Sequence, residues 1–156
     1  MAKEIERKFL VRDDAWRDGV GKVVRIRQFY LDASADRSVR VRIRDGASAM
    51  LTLKFGDHGR ERDEFEYAIP IEDAEEMLAF AVGHVIEKTR HHVVHRDRIY
   101  EVDVFAGDLA GLVLAELETP EAVADRDLPP WLGREVTGEP PYYNAWMAVN
   151  GRPPIA

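Results

Sequence analysis

The chain has 156 residues, 46% hydrophobic and 33% charged, with a formal net charge of -7 and no cysteine. That length fits one domain, residues 1–156, with a good core. The acidic balance argues against a general binder of nucleic acid or of an anionic membrane surface, while leaving room for a local basic pocket; the missing cysteine excludes disulfides and thiolate metal sites.

The opening MAKEIERKF has no apolar signal core, and no later stretch approaches the length of a membrane span, so a soluble cytoplasmic protein is expected. Residues 3–11 read as a strand, with Glu4, Glu6 and Lys8 on one parity and Ile5, Arg7 and Phe9 on the other. Residues 13–21 read as a loop or short helical turn carrying Trp16, and 23–31 as a second strand rich in β-branched and aromatic residues. Residues 38–44 alternate apolar with arginine, Asp45-Gly46 signals a hairpin, and 49–55 returns. A further turn leads into 60–69, completing a three-stranded meander. The helix expected at 73–82 has apolar residues at helical spacing, acids in its first turn and Gly83 beyond its end. Strands follow at 85–94, 98–105 and 112–118, then a short helix at 120–127, a turn at 129–133 and a C-terminal helix at 142–149. Eight strands with few helices predict a mainly β (α+β) fold, an eight-stranded antiparallel closed barrel with its helices packed outside.

One parity of these strands is charged. It carries Glu4, Glu6 and Lys8; Gln28 and Tyr30; Arg40, Arg42 and Arg44; Thr52 and Lys54; Arg62, Glu64 and Glu66; Lys88 and Arg90; Glu101 and Asp103; and Glu116 and Glu118. The other parity is mostly apolar, with Arg7, Glu61 and Glu87 as exceptions. A solvated outer sheet face is the plain alternative. Against it, the signs segregate by strand, with arginines on the third and acids on the last. Closure would also place one face inside, where charges need partners or a ligand. Acid pairs suit Mg²⁺ or Mn²⁺ through oxygen, and arginine forks and lysines suit phosphate oxygens. Together they describe a metal–polyphosphate site.

The ordered set E-x-E-x-K, R-x-R, T-L-K, E-x-E, E-K-T-R, E-x-D and E-x-E resembles the CYTH superfamily of triphosphate tunnel metalloenzymes, and among them the small bacterial inorganic triphosphatases. The resemblance runs from residue 3 to about 118, and more loosely through 131–137 and Tyr143-Asn144. It implies a tunnel that binds a triphosphate with a divalent metal. Glu4, Glu6, Glu116 and Glu118 would be metal-binding acids, and Glu64, Glu66 and Asp103 would serve a second metal or orient water. Arg42, Arg44, Lys54, Lys88 and Arg90 would hold the triphosphate, with Arg40 and Arg62 further along their strands. Lys8 and Tyr30 would form a pair that holds or activates the attacking water.

Other signals are weaker. His91, His92 and His95 lack metal-site spacing, and neighbours on a strand face opposite ways. The tryptophans suit packing, and there is no glycine-rich phosphate loop. The expectation is a Mg²⁺- or Mn²⁺-dependent hydrolase of a small triphosphate, inorganic triphosphate first. No segment is dedicated to a base or sugar, and no nucleic-acid or membrane partner is expected; a homodimer is compatible with exposed helices. Thiamine triphosphatase, nucleoside triphosphatase, adenylate cyclase of class IV type, and a non-catalytic polyphosphate-binding module are the alternatives.

Overall fold

A computed structural model describes residues 5–56 and 63–154. Nine strands join one antiparallel sheet: β1 (Ile5–Val11), β2 (Val20–Ala33), β3 (Arg37–Arg44), β4 (Ser48–Phe55), β5 (Asp63–Ile69), β6 (Val82–His95), β7 (Arg98–Phe105), β8 (Val113–Thr119) and β9 (Leu132–Glu135). Their order is β5-β4-β3-β2-β6-β7-β8-β1-β9. The helices are α1 (Ile71–Met77), continued by a 3-10 turn at Leu78–Phe80, and α2 (Asn144–Asn150). The hairpin between β6 and β7 turns on Arg96 and Asp97, both at positive φ (50° and 63°), the twist that two-residue hairpins favour.

The expected ring of eight strands is not what the ladders form. The outer edge of β1 is taken by β9, with Phe9 opposite Glu135 and Val11 opposite Leu132. Flanking bonds run from the Val136 N–H to the Lys8 carbonyl (2.8 Å) and from the Arg12 N–H to the Trp131 carbonyl (2.8 Å). Gly133 permits this approach, since a Cβ there would lie 3.2 Å from the Leu10 carbonyl oxygen. Among the described residues no ladder joins β5 to β1, and the sheet order has two ends. The turn expected at 129–133 is present, with the Leu132 N–H bonded to the Pro129 carbonyl (3.2 Å), and it leads into an unexpected ninth strand.

The apolar parity packs outward under two covers. Phe9, Val93, Tyr100, Val102, Ala115 and Leu117 lie under Trp16, Val123, Trp131 and Leu132. Phe29, Val41, Ile43 and Ala49 lie under α1 through Ala74, with Ile71 and Met77 alongside. Burying such side chains supplies about 1.5–3 kcal/mol each before entropy is counted.

The C-terminal helix departs from the expected arrangement. Its Met147 and Ala148 pack with Ile86, Phe105 and Leu114. These residues share a strand face with Lys88, Asp103 and Glu116, two positions away in each strand. The helix therefore sits on the charged-parity face, at one end of it, instead of outside. Gly83 makes room for it: at φ +72°, a Cβ there would stand 2.1 Å from the Ala148 carbonyl oxygen. The stretch 120–127 keeps only one 3-10 turn, Asp125–Asp127. Among the described residues no helix is long and apolar enough to cross a membrane.

Candidate active site

The charged parity of the curled sheet encloses a cavity of about 1110 Å³. Its walls carry Glu6 and Lys8 from β1, Tyr30 from β2, and Arg40 and Arg42 from β3. Thr52 and Lys54 of β4, Glu64 and Glu66 of β5, Lys88 and Arg90 of β6, Glu101 of β7, and Glu116 and Glu118 of β8 complete the strand-built part. Thr137, Gly138, Tyr143, Asn144 and Ala145 add a wall that is not strand. Strand register sets the neighbours: Glu6 lies opposite Glu118 and Lys8 opposite Glu116, Glu101 opposite Glu116, and Lys54 opposite Glu64.

Two expected residues stand elsewhere. Arg44 is exposed and outside the cavity lining. It ends β3 beside the Asp45-Gly46 turn and lies across from Ile26 and Ser48, neither of which lines the cavity. Asp103 is buried beneath the wall. It takes a two-pronged bond from Arg90 (Nε to Oδ1 2.8 Å, Nη2 to Oδ2 2.9 Å) and pairs with Lys88 Nζ at 2.9 Å. A carboxylate so engaged is a countercharge more than an open ligand. Glu101 holds the cavity position on that strand and reaches Arg90 at 3.3 Å. Glu4 and Arg62 lie outside the described residues.

The electrostatics divide the cavity. Burial alone would raise the Asp103 carboxyl, but Lys88 and Arg90 outweigh it and hold the group well below the carboxylate range. Burial lowers Lys88, whose side chain is 0% exposed, to about 7, with Arg90 and Arg42 adding repulsion and Asp103 opposing. Arg42 is likewise lowered to about 9, first by desolvation and then by Arg40 and Arg90. Such crowding of cations out of water is relieved by an anion with several charges. Burial would raise Glu116 as well, and Lys8 at 3.3 Å is the chief reason it is lowered instead.

The acids of β1 and β5 behave oppositely. Glu6 opens to the cavity's water yet is surrounded by protein, and that desolvation, followed by repulsion from Glu116, raises its carboxyl; Glu64 adds to the rise. Glu66 is raised because Glu64 shares a hydrogen bond with it. Carboxyls raised by desolvation and by one another's proximity offer oxygen donors that a hard divalent cation favours in the ionised form. Among the described residues no three acids or histidines are already gathered as a ligand set. This still fits Mg²⁺, which binds through one or two carboxylates plus water and phosphate oxygens.

Lys8 donates to the Tyr142 carbonyl (3.0 Å) and lies over the Tyr143 ring at 5.8 Å. Tyr30, 4% exposed, lines the same cavity and influences the charge of Arg42. The parity that found the charged residues also marks Thr52, Gln28 and Glu101. No local pattern marks Thr137 to Ala145, which reach the cavity only through tertiary packing. His91 stacks on Trp16 at 4.8 Å and bonds the Val102 carbonyl through Nδ1, a packing role.

The model of the CYTH domain matches residues 2–143, and the chain belongs to that family. An inorganic triphosphatase of Acetivibrio thermocellus is 42% identical over 151 residues, covering 96% of both chains. One of Nitrosomonas europaea is 38% identical over 151 residues, covering 94% of this chain and 97% of the relative. The crystal structure of the inorganic triphosphatase NE1496 matches with a TM-score of 0.71 at 34% identity, covering 96% of each chain.

Proposed function

We propose that this protein is a divalent-metal-dependent triphosphatase that hydrolyses inorganic triphosphate to diphosphate and phosphate. The observation that carries the reading is one cavity lined by both clustered cations and carboxylates, in a chain 42% identical to an inorganic triphosphatase. Arg40, Arg42, Lys54, Lys88 and Arg90 bind the phosphate oxygens as charge-assisted partners. Glu6, Glu64, Glu66, Glu116 and Glu118 are the carboxylates from which one or two would hold Mg²⁺ or Mn²⁺. When bound, the ion neutralises phosphate charge and polarises the phosphorus–oxygen bonds.

Hydrolysis adds a water oxygen to the terminal phosphorus and breaks the bridging bond, leaving diphosphate. Tyr30 and Lys8 orient that water, and Lys8 is steadied for the task by Glu116 and the Tyr142 carbonyl. The water's proton passes to a nearby carboxylate, directly or by relay through the Tyr30 hydroxyl, as the bridging oxygen leaves with diphosphate. A divalent ion held near Glu6 and Glu64 would offset the repulsion between these two carboxyls. The protein acts as one cytoplasmic domain on a small substrate, with no nucleic acid or membrane involved.

The test is phosphate release from inorganic triphosphate, thiamine triphosphate, ATP and long-chain polyphosphate with Mg²⁺, Mn²⁺ or Ca²⁺. Inorganic triphosphate with Mg²⁺ or Mn²⁺ should give the highest kcat/KM. Tight binding without release under any ion would leave only a binding module. In the same assay Tyr30→Phe should lower kcat by about 100-fold with little change in KM; an unchanged kcat removes Tyr30 from the chemistry.

A further inference from the structure

Gln28 and Asn144 belong to none of the roles above, yet they link two of the most deeply set cations. Gln28 is 0% exposed and lies opposite Arg42 on the neighbouring strand. Its Oε1 accepts from Arg42 Nε at 2.8 Å, and its Nε2 donates to Asn144 Oδ1 at 3.2 Å. The same Asn144 oxygen accepts from Lys88 Nζ at 3.1 Å. The direction of the chain is forced. Guanidinium and ammonium can only donate, so Gln28 must turn its oxygen to Arg42 and Asn144 must present its oxygen to Lys88. The remaining Gln28 amide N–H then meets that oxygen.

We propose that Gln28 and Asn144 are positioning residues that fix Arg42 and Lys88 through neutral acceptors, so that Arg42 is held by an uncharged partner and Lys88 gains no countercharge beyond Asp103. A carboxylate in either place would hold them as well or better, but would take the charge intended for phosphate. The Gln28 bond occupies the Arg42 Nε–H and keeps the Nη edge for an anion. The anchor is firm because Asn144 opens α2, whose Met147 and Ala148 are buried against Ile86 and Phe105. Lys8 is braced from the adjacent segment by the Tyr142 carbonyl at 3.0 Å, in addition to its pairing with Glu116 at 3.3 Å. The C-terminal segment thus sets the spacing of cations carried by three different strands.

The proposal rests on the triphosphate reading, and opposite signs test it. Asn144→Asp and Gln28→Glu are near-isosteric changes that add a countercharge beside Lys88 and Arg42. Calorimetric titration with inorganic triphosphate, steady-state kinetics and thermal melts would be read together. Both variants should weaken triphosphate binding and raise KM about 10-fold or more (about 1.4 kcal/mol), with kcat within about threefold and melting temperature unchanged or higher. Asn144→Ala, which removes the acceptor without adding charge, should raise KM by about threefold with a lower melting temperature. A merely structural role makes stability and binding fall together in all three, and that result overturns the proposal. So does unchanged KM in the two acidic variants. A wild type that binds no triphosphate sinks the functional reading and this inference with it. A wild type that hydrolyses triphosphate beside unaffected variants sinks this inference alone.

Discussion

On one bank of the cavity Lys88 and Arg90 close on Asp103 at 2.9 and 2.8 Å, all three buried. On the other, Glu64 and Glu66 share a hydrogen bond, and Glu6 carries a raised carboxyl because like charge and desolvation surround it. The first bank balances its charge internally and is part of the fold. The second sets carboxyls near one another, and Lys8 and Lys54 offset the rise at Glu6 only in part. Stability and function should therefore separate by bank, and each prediction below tries to break that division.

The largest effect falls on the buried bank. Asp103→Asn strands two buried cations and should cost about 3–5 kcal/mol in denaturant unfolding. The sign with pH follows from the depressed Asp103 carboxyl: its contribution is present above the unfolded aspartate value of about 3.9 and lost only as pH falls through the lower folded value. The gap between wild type and variant should stay flat from neutral pH to about 4 and narrow only in stronger acid. A variant as stable as wild type would remove the division between banks.

Next comes Arg42→Ala, which removes a desolvated cation that makes no ion pair among the described residues. It should raise KM for triphosphate about 30-fold, with kcat changing less, in steady-state kinetics. An equal loss in kcat would mean that Arg42 acts chiefly in the transition state. Smaller still is Glu118→Gln on the acid bank. The Mg²⁺ or Mn²⁺ concentration for half-maximal activity should rise about 10-fold while the melting temperature holds. The smallest effect lies at Glu6. A carboxyl with a raised folded pKa costs stability where it is ionised, and the cost vanishes as pH falls through that value. Without divalent ions, Glu6→Gln should be more stable than wild type at pH 7 by about 0.5 kcal/mol. The difference should disappear toward acid pH or on adding Mg²⁺, as read from thermal melts.

Alternation along the strands made much of this legible: it sorted which side chains share a face, and the cavity draws on that face. It could not measure depth. Asp103 and Glu101 have the same parity, yet Asp103 sits next to Phe105 and the buried end while Glu101 opens to the cavity. Arg42 and Arg44 also share a parity, yet Arg42 lines the cavity while Arg44 stands exposed at a turn. Nor could local pattern place the C-terminal helix, because an apolar stripe reports that a helix is covered and not by which side of a sheet. The segment around Gly133, broken by Pro129 and Pro130, becomes a strand only because β1 offers it an edge.

That edge has a consequence for how the protein comes into being. Arg7 and Glu135 are bonded across 128 positions of chain, and β1 finds its other partner in β8. Contacts of such separation carry the loop-closure cost early and tend to form slowly. During synthesis, the strand that carries Lys8 and Glu6 must wait, unpaired on both sides, until nearly all the rest has left the ribosome. Until then the site lacks the wall that β1 and β8 build, and Glu6, Lys8, Glu116 and Glu118 join the earlier cations as one late addition.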